Sequence, residues 1–469
     1  MSYQNIVLLS DLPQTLLLTC LRSGQVLDYA GLITAVDKRS RSIKDILSNR
    51  PSRVVIAIHD PITCLVTLFA IWATGNCAVM VNPNVSENEK RRILTKTSAR
   101  LWIDDHQEQI IENPHQETQA PSDAALILMT SGTTGDPKGV THSLASLKAR
   151  LIENIRAIHA DVLERTLCPL PLFFGHGLIG NCLTPLFAGK HLFILPSMQL
   201  GELASFGQTL DANKITFLSS VPSFWRMVLP TSPPPQRPLQ RVHIGSAPLS
   251  QDLWAQIGIW CGTDRVFNTY GMTETANWIS GGTLSESKSR PGYVGRPWGG
   301  TFRVFCDGQL KAHGMGEVMV RSPGQMLGFW GDPAQSKAAL VDGYLRTGDI
   351  GELTENQELQ LVGRSKHEIN IGGIKVLAEE IDLLLEQHPD VTEACGFGVP
   401  DKIAGERVAA VVKSDSDTLT PQNLINWCRD NARKEAVPFK IEIVDDIPKN
   451  DRGKVARNDV RDRMIAAWA

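Results

Sequence analysis

The chain has 469 residues, 42% of them hydrophobic, and a formal net charge of −3. This composition points to two or three globular domains with a sizeable core, and it excludes a disordered chain and a dedicated nucleic-acid binder, which needs a basic face. Nine cysteines without a C-x-x-C pair read as reduced thiols of a cytoplasmic protein, not as a disulfide framework or a zinc site.

The opening segment, "MSYQNIVLLSDLPQTLLLTC", carries no Lys or Arg before its apolar part and is broken by Asp11 and Pro13, which argues against a cleaved signal peptide. "RVVIAIHD" then reads as a strand, "CLVTLFAIWATG" as a helix and "CAVMVNP" as a strand. Gly75 and Asn76 interrupt this apolar run, so it predicts a buried helix and strand and no membrane span. "SENEKRRILTKTS" predicts a helix with Ser86 as N-cap and Glu89 three residues on, and "ARLWIDD" a third strand. The same rhythm returns in "HLFILP", "ITFLSSVP" and "RVHIGSAP", with a Pro-rich surface loop over Pro230–Gln240. Strands alternating with helices imply parallel sheets covered by helices.

Past about residue 280 the texture becomes Gly-rich with short strands ("FRVFCDG", "GEVMVRS", "QELQLVG"), as in a small β subdomain. The last hundred residues read as a compact α+β lobe containing "INIGGIKV" and the amphipathic helix "LAEEIDLLLEQHP". The expected fold is α/β, with a large lobe over 1–363 and a small mobile lobe over 364–469.

The stretch with the densest chemistry is "LMTSGTTGDPKGVTHS", Leu128 to Ser143. It is not a Walker A loop, because Pro137 and not glycine precedes Lys138, and neither "GMGEVM" nor "GFGVPD" completes a dinucleotide fingerprint. It still has the makings of a phosphate cradle. Glycines let backbone N–H groups converge on an anion, Thr130, Ser131, Thr133 and Thr134 add hydroxyl donors, and Lys138 adds charge.

Three stretches follow in order: "NTYGMTETA" (Asn268 to Ala276), "GYLRTGDIG" (Gly343 to Gly351) and "IPKNDRGKVARND" (Ile447 to Asp459). With these the sequence resembles the adenylate-forming, AMP-binding superfamily of acyl-CoA synthetases, adenylation domains and beetle luciferases, over nearly the whole chain. The resemblance implies an acyl-adenylate made from ATP with release of pyrophosphate, then transfer to a thiol. It implies that Thr130, Ser131, Gly132, Thr133, Thr134 and Lys138 hold the terminal phosphates. It places adenine and ribose among Gly245, Ser246, Ala247, Asn268, Tyr270, Asp349 and Arg364. Thr273 would touch the α-phosphate, Glu274 would hold Mg²⁺, and Lys454 would bridge the acyl carboxylate and the α-phosphate. Lys366 would be the hinge, where many relatives have Asp, and Gly372 and Gly373 would line the thiol tunnel. Asn370 and Asn450 depart from a frequent Lys and Thr.

By the same resemblance the acyl pocket would involve Phe174, His176 and Trp225, suiting a small aromatic or compact apolar acid. Phe174 and Trp225 read equally as core. His176 reads as a contact to a polar substrate group, a gate, or a buried histidine. The expected activity is an ATP-dependent carboxylic acid–CoA ligase. The alternatives are an enzyme that loads a separate acyl carrier protein, since no carrier module follows Lys454, and a nucleotide-binding protein without ligase activity.

Overall fold

The computed structural model describes residues 10–48, 52–111, 123–130, 138–196, 198–288, 290–401, 404–450 and 453–468. The predicted loop residues Ser131, Gly132, Thr133 and Thr134 lie outside them.

Two sheets sandwich the largest core. In one, strands Arg53–Ala57, Cys77–Met80, Leu101–Asp104 and Ala124–Thr130 run parallel, and Ala124–Thr130 turns back antiparallel into Lys138–Ser143. In the other, Leu17–Cys20, His191–Ile194, Arg165–Cys168, Phe217–Ser220, Arg241–Gly245 and Val266–Met272 are parallel neighbours. Helix Pro61–Ala73 packs between the two sheets. Its sequence is apolar on nearly every face, as a helix covered on all sides requires, and Asp60 caps it by accepting the Thr63 N–H at 2.7 Å. Helix Tyr29–Leu47 lies over it with a narrower apolar stripe, Leu32, Val36, Ile43 and Leu47.

The Gly-rich region does not stand apart. Strands Asn277–Thr283, Tyr293–Pro297, Leu359–Arg364, Tyr344–Leu353, Gly314–Arg321 and Thr301–Cys306 continue the second sheet in antiparallel order. They bury a core of their own around Phe302, Val304, Val318, Val320 and Leu359. The loop expected from Pro230 begins slightly later, because helix Pro222–Thr231 includes that proline.

Strand Leu359–Arg364 ends on the residue expected to open the small lobe, and Arg364 pairs with Asp349 in the large sheet. Beyond it a separate sheet holds Glu368–Ile371, Ile374–Leu377, Glu393–Asp401, Gly405–Lys413 and Lys440–Val444. Helix Ala378–Leu385 covers this sheet around its own apolar core. All nine cysteines are free thiols. Among the described residues no helix is long and apolar enough to cross a membrane.

Arg150, on helix Leu144–Ile158, is fully buried. It donates to the Trp278 and Trp298 carbonyls at 2.8 and 2.9 Å and to Ser322 Oγ at 2.5 Å, which ties that helix to strand Asn277–Thr283 behind the candidate site. Removing the side chain leaves buried acceptors without partners. Arg150→Ala is expected to lower stability by roughly 3–5 kcal/mol, read as a lower urea midpoint. Arg150→Lys should recover only part of this, since an ammonium cannot reproduce the planar fork.

Candidate functional site

The site lies at the carboxyl ends of the parallel strands of the second sheet, where the chain turns from parallel to antiparallel pairing. Tyr270 stands on strand Val266–Met272, buried, and its hydroxyl donates to Asp349 Oδ2 at 2.6 Å. Asp349 Oδ1 meets Arg364 Nε at 2.6 Å. Burial, then Asp349, push the Tyr270 phenol well above its ordinary range, and Asp349 raises the Arg364 guanidinium further. These three predicted residues therefore form one contact. The turn before Asp349 is set by Gly348 at φ 71°, whose N–H donates to Glu317.

Glu274 follows on the short turn Thr273–Thr275. Desolvation raises its carboxyl pKa, while the positive charges of Arg364 and Lys454 act to lower it. Ala276 at φ 56° and Asn277 at φ 117° complete this turn in the left-handed region, a strained backbone of the kind that clusters at functional sites. His142, unassigned in the sequence reading, holds it from below: Nε2 donates to the Thr273 carbonyl at 2.8 Å. Because His142 lies on strand Lys138–Ser143, this bond joins the strand that follows the predicted phosphate loop to the Thr273–Glu274 turn. Thr130 pairs opposite Lys138 and closes the loop's neck.

Burial lowers the Lys366 ammonium and Arg364 lowers it further, while Asp349 and Glu379 act to raise it.

His176 opens a π-helical segment, His176–Leu183, and is buried. Its ring nitrogens meet Ser246 Oγ at 3.0 Å and Ser219 Oγ at 2.7 Å. Its ring packs edge-on to Trp278 at 5.4 Å and to Phe174 at 5.9 Å. Burial, aided by Lys454, pushes its pKa down to about 3. Ser219 and Trp278 were not anticipated. Ser246 adopts φ 69°, and Gly245 packs against Thr269 with no room for a side chain; Ala247 follows on the same turn. Asn268 faces away from this cluster in one respect, since its amide donates to the Tyr293 carbonyl at 2.9 Å. Trp225 is fully buried against Trp260 and Phe224, inside the main core.

From the small lobe, Lys454 arrives on a tight turn. Asn450 donates its N–H to the Lys454 carbonyl at 2.8 Å, and its side chain accepts the Lys454 N–H at 3.1 Å. The departure to Asn at 450 therefore closes the turn that presents the lysine. Gly453, at φ 72°, lies against Ser223, so close that a Cβ would fall 2.6 Å from the hydroxyl oxygen. Asn370 plays a like role elsewhere, accepting the Gly373 N–H at 2.9 Å. Gly372 and Gly373 form an exposed hairpin tip with open space around them. In this arrangement they stand outside the cluster around Tyr270 and Glu274.

The chain is similar to known proteins in both sequence and fold. The AMP-binding enzyme family model matches residues 103–330, and the AMP-binding enzyme C-terminal domain model matches 380–454. The chain is 34% identical over 358 residues to a probable CoA ligase of Humulus lupulus, covering 74% of this chain and 68% of that one. It is 32% identical over 365 residues to an oxalate–CoA ligase of Arabidopsis thaliana, covering 76% and 70%. Its fold matches ATP-bound MatB from Rhodopseudomonas palustris with a TM-score of 0.86 at 24% identity, covering 99% of this chain and 100% of that one. The chain belongs to the AMP-binding enzyme family, as an acid–thiol ligase of the AMP-forming type.

Burial also sets a pH dependence. His142 and His176 are held neutral in the fold, with pKa values of about 4 and about 3, whereas an unfolded histidine titrates near ~6.5. Below that pH the unfolded chain binds protons that the folded chain does not, so stability is full above about pH 6.5 and falls as pH drops. At pH 5 the expected loss is about 2 kcal/mol per imidazole, measured by urea unfolding at pH 7.5 and 5. A His142→Gln, His176→Gln double variant should show a flatter pH dependence.

Proposed function

We propose that this chain couples a small carboxylic acid to coenzyme A, through an acyl-adenylate formed with release of pyrophosphate. The observation that carries the reading is that the turn bearing Lys454 docks on the large lobe, with Gly453 against Ser223, and that Lys454 bears electrostatically on both His176 and Glu274. In the first half-reaction a carboxylate oxygen bonds to the α-phosphorus and the bond to pyrophosphate breaks. Lys454 offsets the negative charge that grows between acid and phosphate, and Thr273 donates to the same phosphate. Tyr270 gives adenine an aromatic face. The Asp349 carboxylate has lone pairs beyond those taken by Tyr270 and Arg364, enough to accept ribose hydroxyls.

Glu274 fits a hard cation, because a desolvated carboxylate beside phosphate oxygens gains from a divalent charge. Mg²⁺, when bound there, supplies neutralisation of the phosphate oxygens. In the second half-reaction a thiol displaces AMP. The relatives' CoA-ligase names support coenzyme A as acceptor, with a carrier protein's pantetheine as the alternative. The lobes 1–363 and 364–469 are proposed to turn about Lys366 between the halves, bringing Gly372 and Gly373 to the thiol path. The nine free thiols support a cytoplasmic setting.

His176, Ser219 and Ser246 form a buried polar cluster beside Phe174 of the predicted acyl pocket, which favours a short acid with a second polar group. The relatives named oxalate–CoA ligase and malonate–CoA ligase support this choice. A compact aromatic acid is the second reading, favoured by the Phe174 and Trp278 rings that pack edge-on to His176.

The test is acid-dependent pyrophosphate release across oxalate, malonate, succinate, acetate and benzoates, with and without coenzyme A. Release that needs one acid and continues to thioester only with coenzyme A is expected. Release without any acid, or none with every acid, would overturn the reading. Lys454→Ala should lower adenylate formation by ~10²-fold or more. Gly453→Ala should slow the same step by roughly 10-fold or more, since a side chain in the left-handed region pressed on Ser223 displaces the lysine turn. Neither variant should slow thioester formation from supplied acyl-adenylate.

A further inference from the structure

Helix Pro222–Thr231 belongs to the large lobe, yet two of its side chains meet the part of the small lobe that carries the lysine. Ser223 lies against Gly453. One turn along, Arg226 Nη2 stands 2.9 Å from Glu386 Oε1, and Nη1 stands 3.8 Å from Glu393 Oε1. The other Glu393 oxygen takes Lys449 Nζ at 2.8 Å. Lys449 bridges to Val455 across the Lys454 turn, so the chain of contacts runs from the large lobe to the lysine's own arm. The carboxylates are 9% and 4% exposed and are not surface decoration. Burial pushes Glu386 up to about 7, and Asp382 and Glu393 add to this, while Arg226 pulls it down. Without Arg226 the small lobe would present a cluster of acids to the large one.

We propose that Arg226 is a positioning residue for the first half-reaction: it clasps Glu386 and Glu393 and so holds the arm carrying Lys449 and Lys454 over the reacting carboxylate. The proposal rests on reading the chain as an adenylate-forming ligase. A lobe that turns between half-reactions must open this clasp, so Arg226 contributes to one half only.

The experiment measures both halves separately in the full chain. Acid-dependent ATP–pyrophosphate exchange reads the first half, and conversion of supplied acyl-adenylate to thioester reads the second. Arg226→Ala is expected to lose roughly 30-fold in kcat for exchange, with KM for the acid and the thioester step unchanged within about 2-fold. Arg226→Lys should recover most of the loss by restoring the charge. Hydrogen exchange of peptides carrying Lys449, with ATP bound, should be faster in Arg226→Ala. Equal losses in both halves, a raised KM for the acid as the main effect, or exchange protection like that of the wild type would each overturn the clasp. A wild-type chain without acid-dependent exchange would instead overturn the ligase reading, and the hydrogen-exchange comparison would still decide whether Arg226 holds the arm.

Discussion

The Asp349 carboxylate is the constraint around which the site is built. It is almost fully buried, a position no carboxylate holds cheaply, and it is kept there by the Tyr270 hydroxyl and the Arg364 guanidinium. Asp349 and its two partners come from three strands of one sheet, so satisfying a single charge ties those strands together. The same contact reaches the lobe boundary. Arg364 is two residues from Lys366, and its backbone N–H donates to Glu379 on the first helix of the small lobe. Glu379 in turn faces His367 and Arg457, and Arg457 pairs with Asp382 at 2.5 Å. A continuous chain of ion pairs and one backbone hydrogen bond thus runs from Asp349 through Arg364 and Glu379 to Arg457 and Asp382 in the C-terminal sheet region.

The turn that carries Lys454 is shaped by both backbone and side chains. Asn450 closes its turn, Gly453 permits the approach to Ser223, and helix Pro222–Thr231 receives both the turn and the lobe behind it. That helix also holds Trp225 in the main core. One element therefore anchors in the main core and meets the small lobe through Ser223 and Arg226.

Much of the site was legible in the sequence because its motifs are short. "YGMTE", "RTGD" and "RGK" each combine a turn, a polar group and a charge within a few residues, and the structure brings Tyr270 of the first and Asp349 of the second into direct contact. The residues that escaped notice act through distant partners. His142 bonds across 131 sequence positions to Thr273, and Arg226 across 160 to Glu386. A single histidine after a glycine-rich loop, or one arginine on an amphipathic helix, has many possible partners, and no local pattern selects among them. Trp225 shows the converse: an aromatic placed near the acyl stretch reads as pocket or as core, and only its contacts with Trp260 and Phe224 decide for the core.

By itself the sequence determined the strand and helix rhythm, the family, and the short motifs from which a nucleotide site and a lysine acting on it are proposed. Those depend on periodicity, turn chemistry and residue type, all of which neighbours in the chain can specify. Tertiary structure alone decided that the Gly-rich strands extend the parallel sheet, that His176 is neutral between two serines, and that the small lobe rests on Arg226. Each of these is a question of which buried polar group finds which partner. The answer depends on segments far apart in the chain being brought together with their hydrogen bonds satisfied.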